Sequence, residues 1–302
     1  MKHVFCIHSH ITQLMMHRII QEKRIDKNDI IVFSFRKFQL GHNQYKVVHL
    51  PSAPELSYDP SKNLLNKLTQ HLQVPYKTAK WLIKVCVVLK FKKAELYIPH
   101  SNFHAWNILK SFMIFQHFNY IEEGTFYYLK ENPLQIKRKT PYKYRILYLG
   151  LLKQRVAFSK DAKHSYVFSK EVISDIPNPI YIDFKNSLHE FRNTNSTKEI
   201  IIAIDGASTN QQIISRDQHI AILSRICEHI NYHYRQIPVL FKLHPNQVNT
   251  HEEAQAIRNL LKNKLDNCKE LAQETMLEAY IGNKNKIIFT GISSLGLYAY
   301  LL

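Results

Sequence analysis

Three short segments of the sequence combine side chains that can move a proton or bind a phosphate. Glu122-Glu123-Gly124 contains two carboxylates, Lys242-Leu243-His244-Pro245 an imidazole, and Gly291-Ile292-Ser293-Ser294 two hydroxyls. Each segment follows an apolar run that is typical of a buried strand. Because ligands bind at the carboxyl ends of strands in open α/β sheets, the three segments predict a base, an acid and a phosphate site.

The acidic pair can supply only one carboxylate to such a site. Neighbouring residues of an extended chain point to opposite sides, so one glutamate can face a ligand while the other packs or pairs. A carboxylate at a strand end can take a proton from a sugar hydroxyl as a general base. Gly124 permits a tight turn after the pair. Two surface glutamates are the structural alternative.

The histidine and the two serines suit an anionic group. Pro245 restricts the backbone of His244 to extended geometry, which holds the imidazole at the strand end. An imidazole there can donate to the phosphate of a leaving nucleotide. Ser293 and Ser294 open a predicted helix, where hydroxyls act as caps and the N-terminus attracts phosphate. A structural histidine is the common alternative, since the chain has 17.

A fourth strand end is formed by Asp205 and Gly206, which follow the apolar run 200–204. Gly206 permits a close approach of the backbone to a ligand, although a structural turn is the alternative. The sequence has no G-x-G-x-x-G and no Walker loop, and therefore gives no support for binding of NAD or ATP. It also lacks D-x-D and any His/Cys cluster with metal-ligand spacing, so no metal is expected.

Strand-like and helical stretches alternate along the chain, which predicts parallel βαβ units. A polar stretch at 185–197 predicts a linker, after which the alternation restarts. The sequence thus predicts an α/β fold of the GT-B type, with Rossmann-like domains at 1–184 and 198–302 facing a central cleft. The predicted strands are 3–8, 29–35, 45–50, 94–98, 118–121, 165–168, 180–182, 199–204, 238–243 and 286–289. The predicted helices are 12–22, 61–72, 76–89, 105–115, 217–234, 251–265, 274–281 and one from 293 onward.

The net charge of +17 lies entirely in the first half of the chain. Residues 1–160 hold 26 Lys and Arg against 9 Asp and Glu, whereas residues 161–302 hold 15 against 15. This asymmetry suggests that the first half meets a polyanion or an anionic membrane face, with a solubilising surface as the alternative. The basic and apolar segment 141–155 predicts a helix in a membrane interface or one packed between domains.

The compartment and the competing class follow from what the sequence lacks. It has no secretory signal and no apolar run of about 18 residues, so the expected compartment is the cytosol. The four cysteines lie far apart, which indicates reduced thiols. A basic nucleic-acid-binding protein is the competing class, but RNP, KH, helix-turn-helix and zinc-finger signatures are missing.

Together, E-E-G, K-x-H-P and the late S-S resemble the motifs of bacterial sialyltransferases, closest to the lipooligosaccharide sialyltransferases of glycosyltransferase family 52. The bacterial polysialyltransferases are similar in pattern. In these families an acidic pair with glycine, an H-P motif and an S-S or S-T motif occur in this order on a GT-B scaffold. The resemblance implies an inverting, metal-independent transfer of sialic acid from CMP-N-acetylneuraminic acid (CMP-Neu5Ac) to a sugar hydroxyl.

The resemblance also implies roles for individual residues. Glu123 is the expected base, with Asp205 as the second candidate, and His244 assists the departure of CMP. Ser293 and Ser294 bind the phosphate of CMP. The remaining residues of the donor site are Gly206, Lys242 and Pro245, and those that support its shape are Glu122, Gly124 and Gly291.

The partners that the resemblance implies are CMP-Neu5Ac and a bacterial surface glycan, either lipooligosaccharide or capsular saccharide. The first domain would bind the acceptor and the second the nucleotide, without a cofactor. The expected location is the cytosol, with the inner face of the cytoplasmic membrane as a further partner. No nucleic acid is expected, and a homodimer is allowed. A polysialyltransferase, an enzyme that moves Kdo or another CMP-linked nonulosonate, and a scaffold without turnover stay open as alternatives.

Overall fold

The chain forms two compact units, Met1–Asp183 and Phe184–Leu302. The structure is a computed structural model. It describes residues 1–34, 45–50, 53, 64–124, 127–128, 148–152, 158–172, 176–183, 197–204, 214–244, 247, 251–273, 275–281, 283–291 and 295–296. Of the predicted linker at 185–197, only Thr197 lies within the described residues.

The first unit contains one parallel sheet, to which seven strands of the described residues belong. The strands are β1 (Lys2–Ile7), β2 (Ile30–Ser34), β3 (Lys46–His49), β4 (Ala94–Ile98), β5 (Phe115–Ile121), β6 (Ser165–Val167) and β7 (Pro179–Tyr181). Their order across the sheet is β3-β2-β1-β4-β5-β6-β7. The direction of the chain order reverses between β1 and β4, so the carboxyl ends of these strands flank a topological switch point.

Helices cover this sheet and explain its apolar strands. They are α1 (His10–Lys23), α2 (Leu64–Val88) and α3 (His104–Ser111), with a 3₁₀ turn at Lys27–Asp29. The last four residues of β1 are fully buried. Strands of a parallel sheet that is covered on both faces have such continuous apolar runs.

One continuous helix, α2, replaces the two helices that the sequence predicts at 61–72 and 76–89. That prediction was wrong, because the helix continues through Pro75. Proline removes one backbone hydrogen bond, which destabilises a helix interior. Val74, Thr78 and Trp81 are buried on one face of α2. Packing of this face stabilises the helix through the proline, in keeping with the general rule that tertiary contacts stabilise helices more than propensity does.

The second unit repeats the strand order of the first. Its described strands are β8 (Glu199–Ala203), β9 (Val239–Lys242), β10 (Cys268–Glu270) and β11 (Lys286–Thr290). They pair in parallel in the order β10-β9-β8-β11, so a switch point lies between β8 and β11. The helices α4 (Arg216–Tyr234) and α5 (His251–Lys264) contact each other, and a 3₁₀ turn spans Leu277–Tyr280. The predicted α/β fold with two Rossmann-like units, as in the GT-B type, is therefore confirmed for each unit taken by itself.

Two further elements differ from the sequence-based prediction. Strand β10 was not predicted. It is a three-residue edge strand that contains Lys269 and Glu270, so its sequence shows no apolar pattern. Helix α3 ends at Ser111, and β5 begins at Phe115, where the sequence predicts helix. The backbone N–H of Ala94 donates to the carbonyl of Ile114, so pairing with β4 starts there. Most of segment 141–155 lies outside the described residues, which include a turn at 148–150.

Glu122, at the carboxyl end of β5, is a structural carboxylate. It is 0% exposed. Its Oε1 accepts from the hydroxyl of Tyr128 at 2.8 Å, and its Oε2 accepts from the backbone N–H of Phe168 at 2.7 Å. The backbone N–H of Glu122 donates to the carbonyl of Tyr166 in β6. These bonds fix the end of β5 against the segment that follows β6.

Replacing Glu122 by alanine should destabilise the first unit. The change leaves the Tyr128 hydroxyl and the buried Phe168 N–H without this acceptor, and a hydrogen bond to a charged group contributes about 1.5–3 kcal/mol. We expect the free energy of unfolding, measured by urea titration, to fall by about 3 kcal/mol. The exposed Glu171→Ala variant should change it by less than about 0.5 kcal/mol. Equal effects of the two substitutions would contradict the structural role.

Candidate functional site

Three side chains meet at the carboxyl edge of the first sheet. His8 follows β1, His100 follows β4 after one proline, and Glu123 follows β5 after Glu122. Nε2 of His8 and Nε2 of His100 each lie 3.5 Å from Oε2 of Glu123. We call these three residues the Glu123 cluster. Because β1, β4 and β5 are neighbours in the sheet, the cluster lies beside the switch point.

His8 is held by a short turn between β1 and α1. Ser9 caps α1, because its Oγ accepts from the backbone N–H of Thr12 at 3.3 Å. In return, Oγ1 of the buried Thr12 accepts from the backbone N–H groups of His8 and Ser9. The buried Nδ1 of His8 has no hydrogen-bond partner among the described residues. His8 therefore has a fixed backbone and one ring nitrogen with unused bonding capacity.

His100 is held in one tautomer. Its Nδ1 lies 3.1 Å from the backbone N–H of Asn102 and accepts from it. In the neutral ring the proton is therefore on Nε2, the nitrogen that faces Glu123. Burial lowers the pKa of His100, and the opposing effect of the Glu123 carboxylate is smaller. His100 thus presents a neutral N–H to the carboxylate at pH 7.

An indole from α3 packs against both imidazoles. The ring centroid of Trp106 lies 5.1 Å from that of His8 and 4.7 Å from that of His100. Phe103 packs edge-on against the same indole at 4.8 Å. Trp106 is buried. The contacts restrict the orientation of both imidazole rings, so the distances to Glu123 depend on α3 as well as on the strands.

The turn after the acidic pair requires glycine. Gly124 has a φ of 134°, a conformation that other residues rarely adopt. Its carbonyl accepts from the backbone N–H of Tyr127, and the Tyr127 hydroxyl donates to the carbonyls of Pro99 and Ile121. The turn that carries Glu123 is thereby tied to the loop that carries His100. The turn at Gly124 thus fixes the strand end that carries Glu123.

Exposure separates the two adjacent carboxylates. The side chain of Glu123 is 19% exposed, whereas Glu122 is 0% exposed. The Oε2 atom of Glu123, which lies 3.5 Å from both imidazoles, is itself buried, so the exposed part of the side chain is what a bound hydroxyl can reach. A carboxylate in such a place can accept a proton from that hydroxyl. Within the described residues, no group of three or more His, Cys, Asp or Glu side chains is arranged to hold a metal ion.

The sequence analysis did not identify His8 and His100, although a usable signal was present. The criterion that selects His244, a histidine just after a buried strand, also selects His8 after β1 and His100 after β4. Neither residue belongs to a recognisable motif. They meet because β1, β4 and β5 are neighbours in the sheet, which no local motif encodes.

In the second unit, His244 follows β9 and is half-buried. Its backbone N–H donates to Oε1 of Gln247 at 3.2 Å, and its carbonyl accepts from the backbone N–H of Gln247 at 2.9 Å. The buried Gln247 also donates from Nε2 to Oε1 of Glu253 in α5. Gln247 therefore fixes the backbone of His244, a positioning role that the sequence analysis did not predict.

Lys242 and Gly291 lie at two other strand ends of this unit. The buried ammonium of Lys242 donates to the carbonyl of Thr275 at 2.6 Å, which makes this lysine a link between β9 and the segment after β10. Gly291 directly follows β11 and is exposed. Thr290 pairs with Ala203, so β8 and β11 end level with each other. The predicted site residues Asp205, Gly206, Pro245, Ser293 and Ser294 lie outside the described residues.

The similarity of this chain to known proteins is limited to its backbone fold. No protein-family model and no curated protein matches the sequence. MnaA of S. aureus, solved with UDP, is similar over 96% of this chain and 74% of that chain, with 13% identity and a TM-score of 0.49. A UDP-GlcNAc 2-epimerase from Neisseria meningitidis bound to UDP-GlcNAc is similar over 96% and 77%, with 14% identity and a TM-score of 0.41. A UDP-glucosyltransferase from Polygonum tinctorium is similar over 99% and 77%, with 11% identity and a TM-score of 0.41. Similarity of this degree does not bear on what this chain binds or does.

Proposed function

We propose that this chain is an inverting glycosyltransferase that uses a nucleotide sugar, with Glu123 as the general base. The proposal rests on the Glu123 cluster, in which a partly exposed carboxylate faces two imidazoles 3.5 Å away. The cluster lies at the carboxyl edge of a parallel sheet beside the switch point, where open α/β sheets bind ligands. A carboxylate flanked by two imidazoles in such a place is a candidate for proton transfer.

Glu123 is the better base of the acidic pair because its neighbour is already occupied. Both oxygens of Glu122 accept hydrogen bonds, from Tyr128 and from the backbone of Phe168. Glu122 is also fully buried, so a sugar hydroxyl cannot reach it without disrupting these bonds. The two glutamates therefore divide into a structural carboxylate and a reactive one.

The proposed reaction balances with the residues at hand. The acceptor hydroxyl gives its proton to Glu123 while its oxygen bonds to the anomeric carbon of the donor. The bond between that carbon and the phosphate oxygen breaks, and the nucleotide leaves with the electron pair. General base catalysis of this kind contributes about 10²–10⁴-fold. Contacts of 3.5 Å from His8 and His100 can shorten when substrate binds, since catalytic contacts are often long in the free enzyme.

The second unit is the proposed donor site. Gln247 holds the backbone of His244 just after β9, and an imidazole there can donate to the nucleotide phosphate as the bond breaks. A well-placed donor to a developing negative charge contributes about 3–4 kcal/mol. On the sequence motifs alone, we further propose that Ser293 and Ser294 bind the phosphate. Asp205 stays the second candidate for the base, also on the sequence alone. Since Lys242 donates to the carbonyl of Thr275, its proposed contribution to the donor site is to shape it.

The proposed donor is CMP-Neu5Ac, and the proposed acceptor is lipooligosaccharide or capsular saccharide. The support is the order of E-E-G, K-x-H-P and S-S along the chain. A donor with a single phosphate has less need of a metal ion, which fits a sequence without D-x-D. A panel of CMP-linked sugars separates this donor from Kdo and other nonulosonates, because only the true donor should give acceptor-dependent release of CMP.

Replacing Glu123 by glutamine should abolish most turnover while leaving donor binding intact. Glutamine has nearly the same size but cannot accept the proton, so we expect kcat to fall by about 10²–10⁴-fold. Release of CMP from CMP-Neu5Ac in the presence of acceptor measures the rate, and calorimetry with CMP measures donor binding. The exposed Glu171→Gln variant is the matched control. Full activity of Glu123→Gln would assign the base to another residue, with Asp205 next.

Replacing His100 by asparagine should lower kcat by about tenfold without changing the KM for the donor. The change removes an N–H that favours the ionised carboxylate of Glu123, so the acid limb of the pH–rate profile should move to higher pH. His117→Asn, at an exposed position of the same sheet, should leave both the rate and the profile unchanged. A loss of rate with an unmoved profile would indicate a purely structural role for His100.

Replacing His244 by alanine should weaken the binding of CMP by at least about tenfold, because it removes a donor to the phosphate. Calorimetry with CMP measures the affinity of both proteins. His233→Ala, on the exposed surface of α4 in the same unit, should bind CMP as the wild type does. Lack of any wild-type affinity for cytidine nucleotides would refute the donor assignment.

A further inference from the structure

Large apolar side chains are exposed along the outer face of α2. Tyr76 is 67% exposed, Ile83 59% and Val87 59%, and Phe91, in the turn after the helix, is 72% exposed. Their spacings of seven and four residues place Tyr76, Ile83 and Val87 on one side of the helix. Single exposed apolar residues are common, but an aligned set marks a contact surface.

The core does not need these residues. The opposite face of α2 buries Trp81, Leu82 and Val85, and Leu89, directly after the helix, is buried as well. All four belong to the main apolar cluster of the first unit. These buried residues already anchor the helix on the sheet. The apolar residues on its outer face are exposed to solvent and do not contribute to this packing. They require a separate explanation.

The same face carries concentrated positive charge. Within residues 73–93 the sequence contains six lysines and no aspartate or glutamate. All six are exposed: Lys77, Lys80, Lys84, Lys90, Lys92 and Lys93. We call the exposed side chains between Tyr76 and Lys93 the α2 face. A partner that covers it must be both apolar and anionic.

The turn after α2 presents Phe91 at an energetic cost. The backbone φ angles of Lys90 and Phe91 are 51° and 55°, values that residues other than glycine rarely adopt. The backbone N–H of Phe91 donates to the carbonyl of Cys86, so this left-handed turn closes the carboxyl end of α2 as a helix cap. The neighbouring turn before β5 exposes Met113 to 87%, and a hydrogen bond from Ala94 N–H to the carbonyl of Ile114 joins the two turns. Two adjacent turns thus each present a large apolar side chain.

We propose that the α2 face docks this chain on the surface of an anionic lipid bilayer. Apolar side chains flanked by lysines are the combination that enters the interface of such a membrane. A second copy of the chain fits less well, since it would bring six more lysines against the first six. None of the described helices combines the length and apolar character that crossing a bilayer requires. This inference is independent of the proposed reaction.

Sedimentation with lipid vesicles tests the proposal on the full chain. The wild type should bind vesicles that contain phosphatidylglycerol and should not bind vesicles of phosphatidylcholine alone. Lys80→Glu combined with Lys84→Glu should weaken binding by at least about tenfold, because each basic residue near an anionic leaflet adds to the attraction. Phe91→Asn should weaken it as well, and asparagine tolerates the left-handed backbone at this position.

Controls come from the second unit, in which 13 Lys and Arg nearly balance 11 Asp and Glu. Ile222→Ser removes an exposed apolar side chain, and Lys262→Glu reverses an exposed charge, on α4 and α5 respectively. Both should bind vesicles as the wild type does, and thermal unfolding should show that every variant keeps its fold. Unchanged vesicle binding by the α2 variants would overturn the proposal.

Three other results would also overturn it. The first is failure of the wild type to bind the anionic vesicles. The second is that the α2 variants lose binding to an RNA homopolymer but keep their binding to vesicles. The third is a concentration-dependent dimer that the same variants abolish while vesicle binding is unchanged, which would assign the face to a second copy.

Discussion

The parallel pairing of β4 with both β1 and β5 is the constraint on which the site of the first unit depends. Because β4 pairs with β1 on one side and with β5 on the other, the carboxyl ends of three strands adjoin. Each of the three ends carries one member of the Glu123 cluster, in a loop held by local hydrogen bonds. The cluster is a consequence of strand order, since its members are far apart in the sequence and share no motif.

The sheet contains carboxylates with contrasting environments, and the contrast supports the role proposed for Glu123. Glu95 is buried near the amino end of β4, where Asn119 donates to it and Lys163 lies 3.4 Å away. Burial raises the pKa of Glu95, but the hydrogen bond from Asn119 and the charges of Lys23 and Lys163 together lower it by more. The net pKa lies below its usual value, so the carboxyl stays ionised and paired. Glu123 instead lies 3.5 Å from the imidazoles of His8 and His100, a type of side chain that serves as a general acid or base. Glu95 stabilises the fold, whereas Glu123 has neighbours suited to proton transfer.

The sequence was sufficient to predict the class of fold, most strands and the division into two Rossmann-like units, because buried parallel strands have clear apolar runs. It was insufficient where local and tertiary effects compete. Two helices are predicted on either side of Pro75, where packing keeps α2 one continuous helix, and the short β10 has no apolar pattern. The acidic pair and Gly124 were identifiable from residue types alone. His8 and His100 were not identified, because periodicity reveals where strands end but not which strand ends adjoin.

The two edges of the first sheet carry different chemistry, and the crossover geometry explains the separation. A helix that connects parallel strands returns the chain from the carboxyl edge to the amino edge, so Phe91 lies at the amino edge, just before β4. His100 lies at the other end of the same strand, whose five residues span about 17 Å. Phe91 and the Glu123 cluster therefore lie at opposite edges of one sheet, and α2 spans the distance between those edges.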